Sequence, residues 1–208
     1  TLPSGAWQTI NVTTPFTNNV ILPGLIEQTQ YEVEVATICG TQGTFSASIP
    51  FTTPALIYCG SGTATVTNGF INNITMIGTN VPTVTNNSGS STYTDYSTDP
   101  TKTITLLRNS VNNTLSVGRT IASSTYTTYA WIDFNGDGLF NNNPVGTAGG
   151  ERIMNLGYSN TTPVTANFDV PANAYVGISK IKMRVIVYFN TPTDPCMNLT
   201  SNGEVEDY

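Results

Sequence analysis

The sequence predicts an all-β chain built from two β-sandwich units. Three observations carry this reading. Apolar residues alternate with polar ones over short runs, and Gly, Pro, Asn and Asp interrupt those runs. No long segment shows the helical period. Charged residues make up only 10% of the chain, far below the usual quarter, with Thr, Asn, Ser and Gly filling the surface instead.

The first predicted strand is Trp7–Val12 and the next Val20–Leu22, followed by a turn at Pro23-Gly24. From Tyr31 to Thr37 alternation is strict: Tyr31, Val33, Val35 and Thr37 share one face, and Glu32 and Glu34 the other. Phe45–Thr52 follows as its partner after a turn at Gly40–Gly43. Thr53-Pro54-Ala55 reads as a short linker, dividing the chain into 1–54 and 55–208. Beyond it, Thr63–Gly69, Ile71–Ile77, Thr101–Leu107, Thr114–Gly118 and Tyr126–Ile132 read as strands. So do Arg152–Leu156, Val164–Val170 and Ile178–Phe189. In the last, Ile181, Met183, Val185 and Val187 face one way, and Lys180, Lys182 and Arg184 are expected on a solvated face.

Tyr126–Ile132 leads into Asp133-Phe134-Asn135-Gly136-Asp137-Gly138-Leu139. Side-chain oxygens recur at alternate positions, with a glycine sixth and a backbone carbonyl, that of Leu139, seventh. This matches the opening of an EF-hand-type calcium loop. Position twelve is Pro144, which has no carboxylate, so the nearest downstream acid, Glu151, is the expected closing ligand. A strand, rather than a helix, feeds the loop. The competing reading is an ion-free Asx/Gly turn between two strands. Calcium is the expected ion, because oxygen-only ligands suit a hard cation that tolerates irregular loops. Glu204, Glu206 and Asp207 place three carboxylates in four residues. They are either solvated or paired with Arg152 or Arg184, or they form a second calcium ligand set, with Glu204 the first choice.

The chain carries 13 acidic against 7 basic residues, a net charge of −6, and no His. An acidic chain does not suit nucleic acid, whose phosphates need a basic face. Without His, the commonest general base and zinc ligand are missing. No apolar run approaches a membrane span.

Two resemblances follow from particular residues. Trp7, Leu22-Pro23-Gly24-Leu25, Tyr31–Thr37, Cys39-Gly40 and Ser48–Thr53 resemble the later strands of a fibronectin type III domain. There Tyr31 takes the place of a corner tyrosine, and the first strands are missing. Gly203-Glu204-Val205-Glu206-Asp207-Tyr208 resembles the signature of the GEVED domain, a β-sandwich module of large secreted proteins, above all in Bacteroidetes-type bacteria. Tyr58-Cys59, Tyr93–Tyr96, Trp131–Gly138, Gly150-Glu151, Ala172–Gly177 and Cys196 also match that family. The resemblance covers about 57–208 and departs from the family in the long Asn/Gly insert before Glu151.

Cys59 and Cys196 bracket the second unit, and an oxidising exterior favours a disulfide between them over two buried thiols. Such a bridge would contribute about 4–5 kcal/mol in the chain-entropy model. Cys39 then has no partner within these residues. Tyr93, Tyr96 and Tyr158 are expected in core or edge packing rather than in sugar stacking.

The expected function is a non-catalytic, calcium-stabilised structural or adhesive module of a secreted or cell-surface protein. Its partners would be neighbouring domains or copies of the same chain, with cell-surface glycans or proteins as further candidates. The alternatives are a substrate-targeting accessory domain of a secreted metalloprotease or glycoside hydrolase, and a carbohydrate-binding module. Both ends read as cut within domains. A repeat of a surface fibre is therefore also expected, with residues 7–53 pairing with strands from a neighbour.

Overall fold

The computed structural model describes residues 5–12, 20, 22, 25–66, 69–121, 125–177 and 179–208. The predicted Pro23-Gly24 turn and the centre of Val20–Leu22 lie outside them. Among the described residues the chain is all-β apart from one 3-10 turn at Pro100–Lys102, and it divides into two compact units, Thr1–Leu56 with Gly177–Ser179, and Ile57–Val176 with Lys180–Tyr208.

In the first unit, β1 (Gln30–Val33) pairs antiparallel with β4 (Ile49–Thr52), and β2 (Ile38–Cys39) forms a tight hairpin with β3 (Thr41–Gln42). Tyr31 is buried, stacks on Phe51 at 5.8 Å, and accepts a hydrogen bond from the Ile26 N–H at 2.8 Å. That hydrogen bond to backbone a few residues upstream is the geometry a corner tyrosine makes. The strand expected at Trp7–Val12 is not formed: these residues carry the alternation but no backbone ladder.

The described residues of the second unit form a sandwich of ten strands. They are β5 (Gly62–Thr65), β6 (Ile71–Ile77), β7 (Val84–Asn87), β8 (Thr94–Asp95), β9 (Asn113–Arg119), β10 (Thr127–Ile132), β11 (Arg152–Leu156), β12 (Val164–Phe168), β13 (Met183–Tyr188) and β14 (Asn198–Asp207). One sheet runs β11-β10-β13-β14-β5, with β8 also pairing with β14; the other runs β12-β9-β6-β7. Between them lies a core that includes Ile71, Ile74, Leu115, Val117, Ala130, Val164, Val185 and Val187.

The larger sheet is covered on its outer face too. Tyr129, Trp131, Ile186, Tyr188 and Val205 project there, against Phe140, Leu199 and the Tyr58-Cys59 segment. Every residue of β10 and β13 is therefore buried. This corrects the expected basic face, because Arg184 is wholly buried. Thr101–Leu107 likewise forms no strand: after the 3-10 turn, Ile104 and Leu106 pack half-buried against the core without a ladder. No helix among the described residues is long and apolar enough to cross a membrane.

Candidate metal centre

The acidic loop is the connection between β10 and β11. Antiparallel pairing of these strands answers how Glu151 returns across the long insert. The Ile132 N–H donates to the Glu151 carbonyl at 3.0 Å, so the end of one strand faces the start of the other. The insert turns back on itself, with the Gly150 N–H donating to Thr147 O and both Glu151 and Arg152 N–H to Asn143 O. Pro144 lies in this excursion, beside Arg152. Carboxylate oxygens of Asp133, Asp137 and Glu151 consequently converge within 4.8 Å of one another. Ligand oxygens on opposite sides of one metal ion stand no more than about 5 Å apart, so a single ion could reach all three.

Asp133 anchors the loop. It is fully buried, and its two oxygens accept four hydrogen bonds. Oδ1 accepts from the N–H groups of Gly136 (2.8 Å) and Asp137 (3.2 Å). Oδ2 accepts from the Gly138 N–H (3.0 Å) and the Tyr58 hydroxyl (2.7 Å). Gly136 and Gly138 adopt φ of 68° and 81°, a region that L side chains rarely enter. Space enforces glycine as well: a Cβ at Gly136 would lie 2.2 Å from the Tyr175 ring.

Asn135 and Asp137 lie on the exposed side. Asn135 Oδ1 accepts from the Asp137 N–H at 2.9 Å, its Nδ2 donates to Asp137 Oδ2 at 2.9 Å, and the Leu139 N–H donates to Asp137 Oδ1 at 2.8 Å. The Leu139 side chain is exposed.

Glu151 points most directly to a cation site. It is buried, and Oε2 accepts from the Asn141 N–H at 2.7 Å, whereas Oε1 has no hydrogen-bond partner. Burial pushes its carboxyl up to about 7, and the negative charges of Asp133 and Asp137 add to the shift; the Asn141 N–H it accepts from opposes it, as does the nearby Asn135 N–H, which forms no hydrogen bond with it. Burial also holds the Asp133 carboxyl above its ordinary range. Among the described residues, the ion pairs formed by Lys182 and Arg184 go to Asp95 and Asp207, not to these three acids. Three converging carboxylates, one with an orphaned buried oxygen and none with a basic partner among the described residues, form a group that could hold a metal ion.

Glu204 stands apart from this group. Its Oε2 accepts from the Ile71 N–H at 2.7 Å, and its Oε1 accepts from the Ser91 N–H and hydroxyl at 2.6 and 2.8 Å. It is a buried acceptor tying β14 to β6 and to the segment before β8. Glu206, on the same face, accepts from the Tyr208 hydroxyl at 2.6 Å. Asp207, on the opposite face, is paired with Arg184. Of the three tyrosines, Tyr96 packs on Tyr208 at 5.3 Å, Tyr93 donates to Asp207 Oδ2 at 3.0 Å, and Tyr158 is exposed.

Cys59 and Cys196 form a disulfide across 137 residues of sequence, and Cys39 is free and exposed. Arg184 reaches the bridge from below: Nη2 donates to Cys59 O at 2.8 Å and Nη1 to Pro195 O at 2.9 Å. The sequence offered Arg184 as a pair for the terminal acids, and Asp207 is the acid it pairs with, but it gave no signal that Tyr58 bonds Asp133 or that Arg184 reaches the bridge, because both depend on which loops cover the outer face of the larger sheet.

No curated protein matches the chain. Residues 127–208, which run from β10 through the acidic loop, Arg184 and Cys196 to the final Tyr208, match the model of the GEVED domain family.

Proposed function

We propose that this chain is a non-catalytic, extracellular structural or adhesive module whose sandwich is closed by a calcium ion. Asp133, Asp137 and Glu151 supply the carboxylates, Asn135 its side-chain oxygen and Leu139 its backbone carbonyl. The observation that carries the reading is the buried Glu151 Oε1, without a partner and beside two further carboxylates. An ion there would neutralise charge that the fold otherwise holds at a cost, and would lock the β10–β11 connection.

The ligands are oxygens throughout, which favours calcium over zinc. The Cys59–Cys196 bridge supports an oxidising location, hence secretion or display at the cell surface. The buried acids outside the metal centre hold backbone, hydroxyl or guanidinium groups, which supports a structural role for them. Neighbouring domains or further copies of the chain are the partners this role implies.

Thermal unfolding in calcium and in chelator tests the proposal. Calcium at about 100 times its Kd stabilises the native state by about 2.7 kcal/mol, which raises the Tm of a unit this size by roughly 5–10 °C. Asp133→Ala and Asp137→Ala abolish the rise. Identical melting curves in calcium and in chelator would overturn the proposal.

A further inference from the structure

Tyr58 lies outside the matched GEVED residues, yet it bonds the metal centre and immediately precedes the bridged Cys59. Its hydroxyl donates to Asp133 Oδ2 at 2.7 Å and accepts from the Lys182 N–H at 3.1 Å. With both roles filled the hydroxyl cannot rotate freely, so it fixes the orientation of the Asp133 carboxylate. The ring packs on Phe140 at 5.3 Å and lies beneath the Lys182 ammonium at 5.5 Å. The preceding residue meets the same loop: a Cβ at Gly138 would lie 3.1 Å from Ile57 O. The following residue is Cys59, bonded to Cys196.

We propose that Tyr58 is the positioning residue of the metal centre and that, through it, the Cys59–Cys196 bridge sets the affinity of that centre for calcium. The inference rests on the metal reading above and adds its regulation. The bridge tethers residue 59 to the 195–197 turn and so holds the Tyr58 hydroxyl at Asp133 before any ion arrives. Without the tether, ordering the 57–59 segment becomes part of the cost of binding. A dithiol opens the bridge by exchange: two electrons and two protons pass to Cys59 and Cys196, leaving two thiols, and the dithiol closes to its own disulfide. Linkage is reciprocal, so calcium protects the bridge from the dithiol by the same factor by which the bridge strengthens calcium binding.

The test uses the whole chain with Cys39 alkylated beforehand. Calcium affinity is measured by calorimetry for the oxidised and dithiol-reduced wild type and for Tyr58→Phe, which keeps the ring and the bridge. We expect Tyr58→Phe to weaken calcium roughly 10–100-fold, the usual effect of removing a hydrogen bond to a metal ligand. We expect reduction to weaken it about 5-fold or more in the wild type, and clearly less in Tyr58→Phe. The equilibrium of the bridge with the dithiol, read by thiol counting with and without calcium, should shift by the matching factor in the wild type and by the correspondingly smaller factor in Tyr58→Phe. Should the reduced chain unfold, the oxidised Tyr58→Phe affinity decides the matter. Equal calcium affinity in Tyr58→Phe and wild type would overturn the coupling while leaving the metal centre standing. Absence of calcium binding in the oxidised wild type would overturn both.

Discussion

Arg184 and Asp207 face each other as register partners on β13 and β14 and form a wholly buried, two-pronged ion pair, with Nε–Oδ1 and Nη2–Oδ2 both at 2.7 Å. The guanidinium also lies 4.9 Å over the Phe140 ring and donates to the carbonyls of Cys59 and Pro195. One side chain thus holds the terminal strand, the loop after the acidic turn and both flanks of the disulfide.

Breaking that pair leaves the Asp207 carboxylate buried with only the more distant Lys182 ammonium, 3.8 Å away, against its charge. Arg184→Met should cost roughly 3–5 kcal/mol in urea denaturation. Adding Asp207→Asn should recover part of the loss, because the unpaired carboxylate is then gone. If the two substitutions instead sum as independent losses, the pair is not the coupled unit described.

Glu204 offers a separate test of where the metal sits. Glu204→Ala strands the Ile71 and Ser91 N–H groups inside the sandwich, with an expected loss of at least about 2 kcal/mol. Its calcium affinity should stay at the wild-type value in calorimetry. A loss of affinity comparable with that of Asp133→Ala would place Glu204 in the metal centre.

The pH dependence should run opposite to that of an ordinary salt-bridged acid. Burial pushes Glu206 up to about 7, with the Tyr208 hydroxyl opposing the shift and Glu204 adding to it. Its Oε1 has no hydrogen-bond partner. A raised carboxyl takes up its proton more readily in the folded state, so its contribution is fully present below the ordinary carboxylate range. That contribution is lost as pH rises towards about 7. In chelator, stability should therefore fall between about pH 4.5 and 7, by on the order of 3 kcal/mol from Glu206, and Glu206→Gln should flatten the curve. Glu151 titrates in the same window. Calcium must displace its proton, so apparent calcium affinity should drop about tenfold per pH unit below 7. Stability in chelator that rises across this window, or that is unmoved by Glu206→Gln, would contradict the assignment.

The acidic loop was legible because its logic is local: Asp133, Asn135, Asp137 and the two glycines are close in sequence and each answers to a backbone turn. Glu151 was reachable as the next acid, and β10–β11 pairing supplies the reason it returns. The Ile71–Ile77 strand was read to the residue, since alternation and flanking Asn and Gly bound it on both sides. Arg184 was misplaced for a definite reason. Alternation along 180–187 separates two faces but does not say that both are covered, and here Phe140, Leu199 and the disulfide cover the second. Thr101–Leu107 and Trp7–Val12 show the complementary limit. A strand needs a partner ladder as well as an apolar stripe, and Ile104 and Leu106 bury their side chains without one.

The most direct test of the metal centre is a crystal structure of the chain grown in calcium, with the ion identified by its anomalous signal. One ion is expected in the β10–β11 loop, 2.3–2.6 Å from oxygens of Asp133, Asp137 and Glu151, the distance range calcium takes. A loop without an ion, in which Asp133 keeps its four hydrogen bonds and Glu151 Oε1 stays unpartnered, would contradict it.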